Sequence, residues 1–154
     1  MLDHGRIRAI ALFFYFSYLD EQPALDSTRL VLKKLSKKLK TGQEAPTITS
    51  ADAIRECYLE WNKEKKKRKP LQAAISFNAG WILPSGIDIG LWKQFVRESD
   101  EAESLVLILA KILQYDDLSV ARGLGITEGT VRHRLQRALR RLGQLEVRGG
   151  LSNA

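Results

Sequence analysis

The sequence predicts an all-α protein: a helical N-terminal domain followed by a smaller C-terminal helix-turn-helix domain. Three observations carry that prediction. Apolar residues recur at the three-and-four spacing of a helix face in the second helical stretch and again from residue 100 onward. Residues that cap helices stand ahead of these stretches. Between the last two stretches lies Gly125-Ile126-Thr127, a glycine for a tight turn followed by a cap for the next helix.

The first element expected is an apolar helix over residues 6–20, stopped before Pro23. Its central run, Ala9 to Leu19, is eleven residues long. That falls short of the ~20 apolar residues needed to cross a bilayer. Arg6 and Arg8 precede it as in a signal peptide, but acidic and amide residues follow it in place of a small-residue cleavage site, so a buried helix is the reading adopted. Asp26 or Ser27 is expected to cap a second helix through about Lys40. Leu30, Val31, Leu35 and Leu39 would form its inner stripe, with Lys33, Lys34, Lys37, Lys38 and Lys40 opposite. Residues 41–49 read as a polar loop.

Ser50 is the expected cap of a third helix, with Ile54, Cys57, Tyr58 and Trp61 on one side. That helix runs into the basic stretch 63–69 and must end near Pro70, whose ring disfavours helix at the residue before it. The basic run could hold phosphates, or simply complement the negative end of the helix dipole in solvent. Residues 71–90 mix Gly80, Pro84, Gly86 and Gly90 with Trp81, Ile82, Leu83, Ile87 and Ile89. They read as a partly buried connection, or as exposed aromatics that dock a partner. A short helix over about 91–97 follows.

From Asp100 the pattern sharpens. Leu105, Leu109, Ile112 and Leu113 lie on one face of a helix of about four turns. Asp116 caps a short helix holding Leu118, Val120, Ala121 and Leu124, and Ile126 plugs the gap behind the turn. In the last helix, Val131, Leu135, Ala138 and Leu142 follow one another at spacings of 4, 3 and 4, an unbroken inner stripe. Residues 128–141 carry five arginines and one acid, Glu128, which favours the positive end of the helix. The domains expected are therefore 1–70, a connection over 71–99, 100–145, and a tail over 146–154.

A short helix bracing a longer one, apolar inside and arginine-rich outside, has the width and chemistry to enter the major groove of duplex DNA. The residues expected to face DNA are Thr127, Glu128, Thr130, Arg132, His133, Arg134, Gln136, Arg137, Arg140 and Arg141. The first half of the helix would meet base edges and the later arginines the phosphates. An isolated amphipathic helix with such a face would more often be merely solvated. The preceding helix and turn, in register, favour DNA.

Val120-Ala121, Leu124-Gly125-Ile126-Thr127, Gly129-Thr130-Val131, Arg134-Leu135, Arg137-Ala138 and Arg141-Leu142 together resemble the region 4 signature of sigma-70-type factors, especially the small extracytoplasmic-function group. Response-regulator output domains share parts of that signature. The stretch 52–61 resembles, more faintly, the region 2 helix of the same factors, with Trp61 one residue early, so residues 1–70 would be either a degenerate region 2 or an unrelated helical domain. The aromatic, basic helix that opens DNA in that family is not evident after it. The resemblance implies a cytoplasmic transcription regulator, a divergent sigma factor or sigma-like factor reading promoter DNA through the helix 128–142, with double-stranded DNA, and RNA polymerase or an anti-sigma factor, as partners. Its alternative is a sigma-like module that binds an anti-sigma factor or polymerase as a decoy or adaptor without reading DNA.

Composition agrees with this frame. A formal net charge of +7 suits an anionic partner. The 44% hydrophobic and 28% charged fractions are those of a folded chain. One cysteine, Cys57, and two distant histidines, His4 and His133, offer neither an intrachain disulfide nor a metal-ligand spacing, as expected of a reducing intracellular setting. No phosphate-binding glycine loop or nucleophile motif appears, and the adjacent Asp116-Asp117 would point apart on a helix. No enzymatic activity, cofactor or membrane association is expected.

Overall fold

The computed structural model describes residues 2–41, 47–67 and 89–152. Among them every regular element is helical: α1 (His4–Tyr18), α2 (Glu21–Thr41), α3 (Ser50–Lys65), α4 (Ile89–Glu98), α5 (Glu101–Leu107) continuing into a π-helical turn (Ile108–Ile112), α6 (Asp117–Leu124) and α7 (Glu128–Ser152). The expected all-α class is what the chain adopts. The expected loop over 41–49 and connection over 71–90 fall mostly outside the described residues.

Helix α1 starts where Asp3 accepts a hydrogen bond from the Arg6 amide at 2.7 Å. Residues 10–16 are buried without a break, so α1 shows no polar face there and runs through the centre of the core. Phe13 and Phe14 meet edge to face at 5.0 Å. Phe16 packs against Trp92 of α4 at 5.5 Å. The Trp92 indole donates to the Phe16 carbonyl at 2.9 Å, which satisfies a buried donor and ties α4 to α1.

The junction between α1 and α2 differs from expectation. Leu19 takes the left-handed conformation at φ 54°, its amide donates to the Tyr15 carbonyl, and α1 ends there. Helix α2 then begins at Glu21, ahead of Asp26 and Ser27, which lie inside it. Pro23 falls in the first turn, where an absent N–H costs no hydrogen bond and its fixed φ suits the helix. Ser27, freed from capping, is buried and bonds the Tyr18 hydroxyl at 3.0 Å and the buried Glu60 at 3.4 Å, linking α1, α2 and α3. The inner stripe of α2 is Ala24, Val31 and Leu35; Leu30, expected within it, is 44% exposed.

Helix α3 is capped by Thr49, one residue ahead of the expected Ser50. The Thr49 hydroxyl accepts from the Asp52 amide at 3.1 Å, and the Asp52 carboxylate accepts from the Thr49 amide at 3.0 Å. Those bonds hold the Asp52 carboxyl below the usual carboxylate range, chiefly through the Thr49 backbone. Ala53, Ile54 and Cys57 face the core, and burial pushes the Cys57 thiol far above its ordinary range, so it is unreactive.

The four-turn α-helix expected from residue 100 is shorter. Seven α-helical residues give way to a π turn of five, and residues 103–109 are all buried. Leu105 to Leu109 are buried all round the helix, while Ile112 and Leu113 lie at the edge of the core. One contiguous apolar cluster results. It draws side chains from all seven helices and the π turn, so the N-terminal and C-terminal stretches share a core.

Candidate nucleic-acid interface

The site is built from α6, the turn after it, and α7. Asp116 accepts from the Ser119 amide at 2.9 Å, capping α6, and the Ser119 side chain, with that amide second, holds its carboxyl below the usual carboxylate range. Gly125 ends α6 at φ 71°, a conformation that burdens any side chain, and its amide donates to the Ala121 carbonyl. Thr127 opens the next helix: its hydroxyl accepts from the Thr130 amide at 3.1 Å and lies 2.9 Å from the Thr130 hydroxyl. These are the roles that the residue types led us to expect.

A second glycine, Gly123, was not singled out by the sequence. It faces α3, and a Cβ built there would lie 2.4 Å from Ile54 Cγ2 and 3.1 Å from the Ala51 carbonyl. Only glycine lets α6 approach α3 this closely. Arg55 of α3 adds a hydrogen bond to the Arg122 carbonyl at 3.4 Å. The bracing helix is thus seated on the N-terminal part of the chain. No local sequence signal marks this, because the partner lies about seventy positions upstream.

Helix α7 buries Val131, Ala138 and Leu145 completely, with Leu135 and Leu142 half-buried beside them. The inner stripe therefore runs one step further than read from sequence. The helix itself continues to Ser152, into the stretch 146–154 read as a tail.

On the outer side, the ten expected residues fall into groups. Thr127 and Thr130 are engaged in the cap. Glu128 pairs with Arg132 at 3.6 Å, and Asp117 of α6 reaches the same guanidinium at 3.9 Å. Arg134 is half-buried and lines a groove of about 330 Å³ with Tyr58, Trp61 and Lys65 of α3 and Leu124 and Ile126 of the turn. Arg137 and Arg141 both meet the buried carboxylate of Glu103, at 3.1 and 3.8 Å, and Arg141 also donates to the Glu98 carbonyl at 2.7 Å. His133, Gln136 and Arg140 are exposed, and among the described residues no hydrogen bond or ion pair engages their side chains. The sequence pattern places Arg132, Arg137, Arg140 and Arg141 off the apolar stripe and Arg134 near its edge, all as DNA-facing residues. It missed that two of them carry a buried acid, since Glu103 stands in another helix.

No metal-ligating cluster of three or more residues occurs among the described residues, and no described helix is long and apolar enough to cross a membrane.

With this geometry in hand, comparison with known proteins identifies the class of fold. No family profile matches the chain, and no curated protein does. Among solved structures, the sigma factor RpoE from Bartonella quintana, determined in complex with the anti-sigma factor NepR, superposes with a TM-score of 0.69 at 17% identity, over 91% of this chain and 91% of that one. The chain has a sigma-factor-like fold. The likeness, one of fold, spans nearly the whole chain and so is not confined to residues 100–145.

Proposed function

We propose that this protein is a sigma-like transcription factor that reads duplex promoter DNA through the outer face of α7. The observation that carries the reading is the capped turn at Gly125 and Thr127. It sets α7 against its bracing helix and leaves His133, Gln136 and Arg140 exposed on a strongly basic face. Residues 1–70 and 100–145 would serve as the region 2-like and region 4-like parts. RNA polymerase is the partner such a factor serves. An anti-sigma factor, the partner of the similar Bartonella protein, is the regulator we propose for this one.

The test is a titration of the full chain against a randomised duplex pool at low and at physiological salt. Enrichment of a short motif, with affinity falling steeply as salt rises, is the expected outcome. Gln136→Ala and Arg140→Ala should then each weaken binding of the enriched duplex by about tenfold, the scale of one good base or phosphate contact. If nothing is enriched and the residual binding vanishes at physiological salt, α7 does not read DNA.

A further inference from the structure

Among the described residues, the three arginines of α7 that form ion pairs are not equivalent. Arg132 lies between two exposed carboxylates, a contact that solvent screens. Arg137 and Arg141 instead converge on Glu103, whose side chain is 3% exposed. A carboxylate so deeply buried needs its cations, and a turn's separation along α7 places one arginine near each oxygen. The two pairs then diverge. Arg141 approaches Oε2 through Nε at 3.8 Å, and a terminal nitrogen of the same guanidinium donates to the Glu98 carbonyl at 2.7 Å, tying α7 to the end of α4. Among the described residues Oε2 accepts no hydrogen bond.

Arg137 meets Oε1 through Nε at 3.1 Å, yet its side chain stays 56% exposed. A guanidinium carries five N–H donors in one rigid plane. Contact through Nε leaves the donors of the two terminal nitrogens, a fork that matches a pair of phosphate oxygens. An arginine free in solvent must lose its rotamer freedom to make such a contact. One already held at Nε has lost part of it beforehand.

We propose that Glu103 is a positioning residue for DNA recognition: it holds Arg137 by Nε so that the outer edge of the guanidinium is set to clamp a backbone phosphate beside the groove. The assignment rests on reading α7 as the DNA-binding helix. It makes a counter-intuitive prediction about sign. Glu103 is an acid close to a polyanion's binding face, so its removal should tighten binding if charge alone mattered. Positioning predicts the reverse.

The experiment titrates wild type, Glu103→Gln, Arg137→Ala and the double variant against the duplex enriched from the pool, over a range of salt, with circular dichroism confirming that each is folded. Arg137→Ala should weaken binding about tenfold and lower the salt slope by about one. Glu103→Gln should weaken binding about fivefold in the wild-type background and less than about twofold beside Arg137→Ala, the non-additivity expected of residues that act through one another. Tighter binding by Glu103→Gln, or the same loss in both backgrounds, overturns the assignment. Should Glu103→Gln not fold, Arg137→Lys carries the test, since it keeps the charge but lacks the fork. Loss equal to that of Arg137→Ala supports the clamp, and binding like wild type overturns it. A wild-type protein that enriches no motif removes the DNA reading itself and this role with it. Enrichment without coupling removes only the role of Glu103.

Discussion

Helices α1 and α7 solve opposite problems. Along residues 10–16 α1 is buried on every side and holds its place by filling space among α2, α3, α4 and the π turn. Helix α7 commits one stripe to the core and turns a basic face outward. The difference teaches where information lies. A helix with two unlike faces announces its inner side through periodicity. A helix apolar all round announces only that it is buried, and its orientation is decided by partners distant in sequence.

The largest effect should come from the helix with no outer face. Phe14→Ala removes a fully buried ring from α1 and should cost about 3–5 kcal/mol, read by chemical denaturation. A loss below about 0.5 kcal/mol, the range of surface substitutions, would mean that α1 is not central to the core.

Next comes the seat between the two parts. Gly123→Ala sets a methyl against Ile54 and should destabilise the protein by about 1–3 kcal/mol, net of the small propensity gain of alanine in a helix. If Gly123→Ala melts at or above the wild-type temperature, α6 does not sit against α3 as described.

The smallest effect belongs to the caps. Asp52 and Asp116 have depressed carboxyl pKa values, Asp52 chiefly through the Thr49 backbone and Asp116 chiefly through Ser119. A carboxyl with a lower pKa folded than unfolded stabilises the fold above its unfolded pKa of about 3.9. That contribution fades as pH falls through the folded value. Melting temperature should therefore drop below about pH 4. Asp52→Asn and Asp116→Asn, which keep a capping acceptor but no titrating charge, should flatten the drop. Identical pH profiles for variants and wild type would show that these carboxyls do not titrate with folding.

The turn at 125–127 was legible because its requirements are local. A left-handed residue wants glycine, an open helix start wants a hydroxyl or carboxylate acceptor, and both stood at the expected positions. The start of α2 was not legible for a related reason. Pro23 reads equally well as a stop or as a first-turn residue, and the left-handed Leu19 that decides between them carries no glycine to signal it. Ser27 looked like a cap because serine usually is one, yet it serves as a buried link between Tyr18 and Glu60. The outer face of α7 was visible as a set of residues but not as a set of roles.

By itself the sequence determined the helical class, the capped turn, the inner stripe of α7 and the basic character of its outer face, because each depends on neighbours within about a turn of helix. Tertiary structure alone decided that α3 seats α6 at Gly123, that Trp92 closes over Phe16, and that Glu103 takes up Arg137 and Arg141. Those contacts join residues tens of positions apart. Their energies appear only once the chain has folded, and no short-range pattern encodes them.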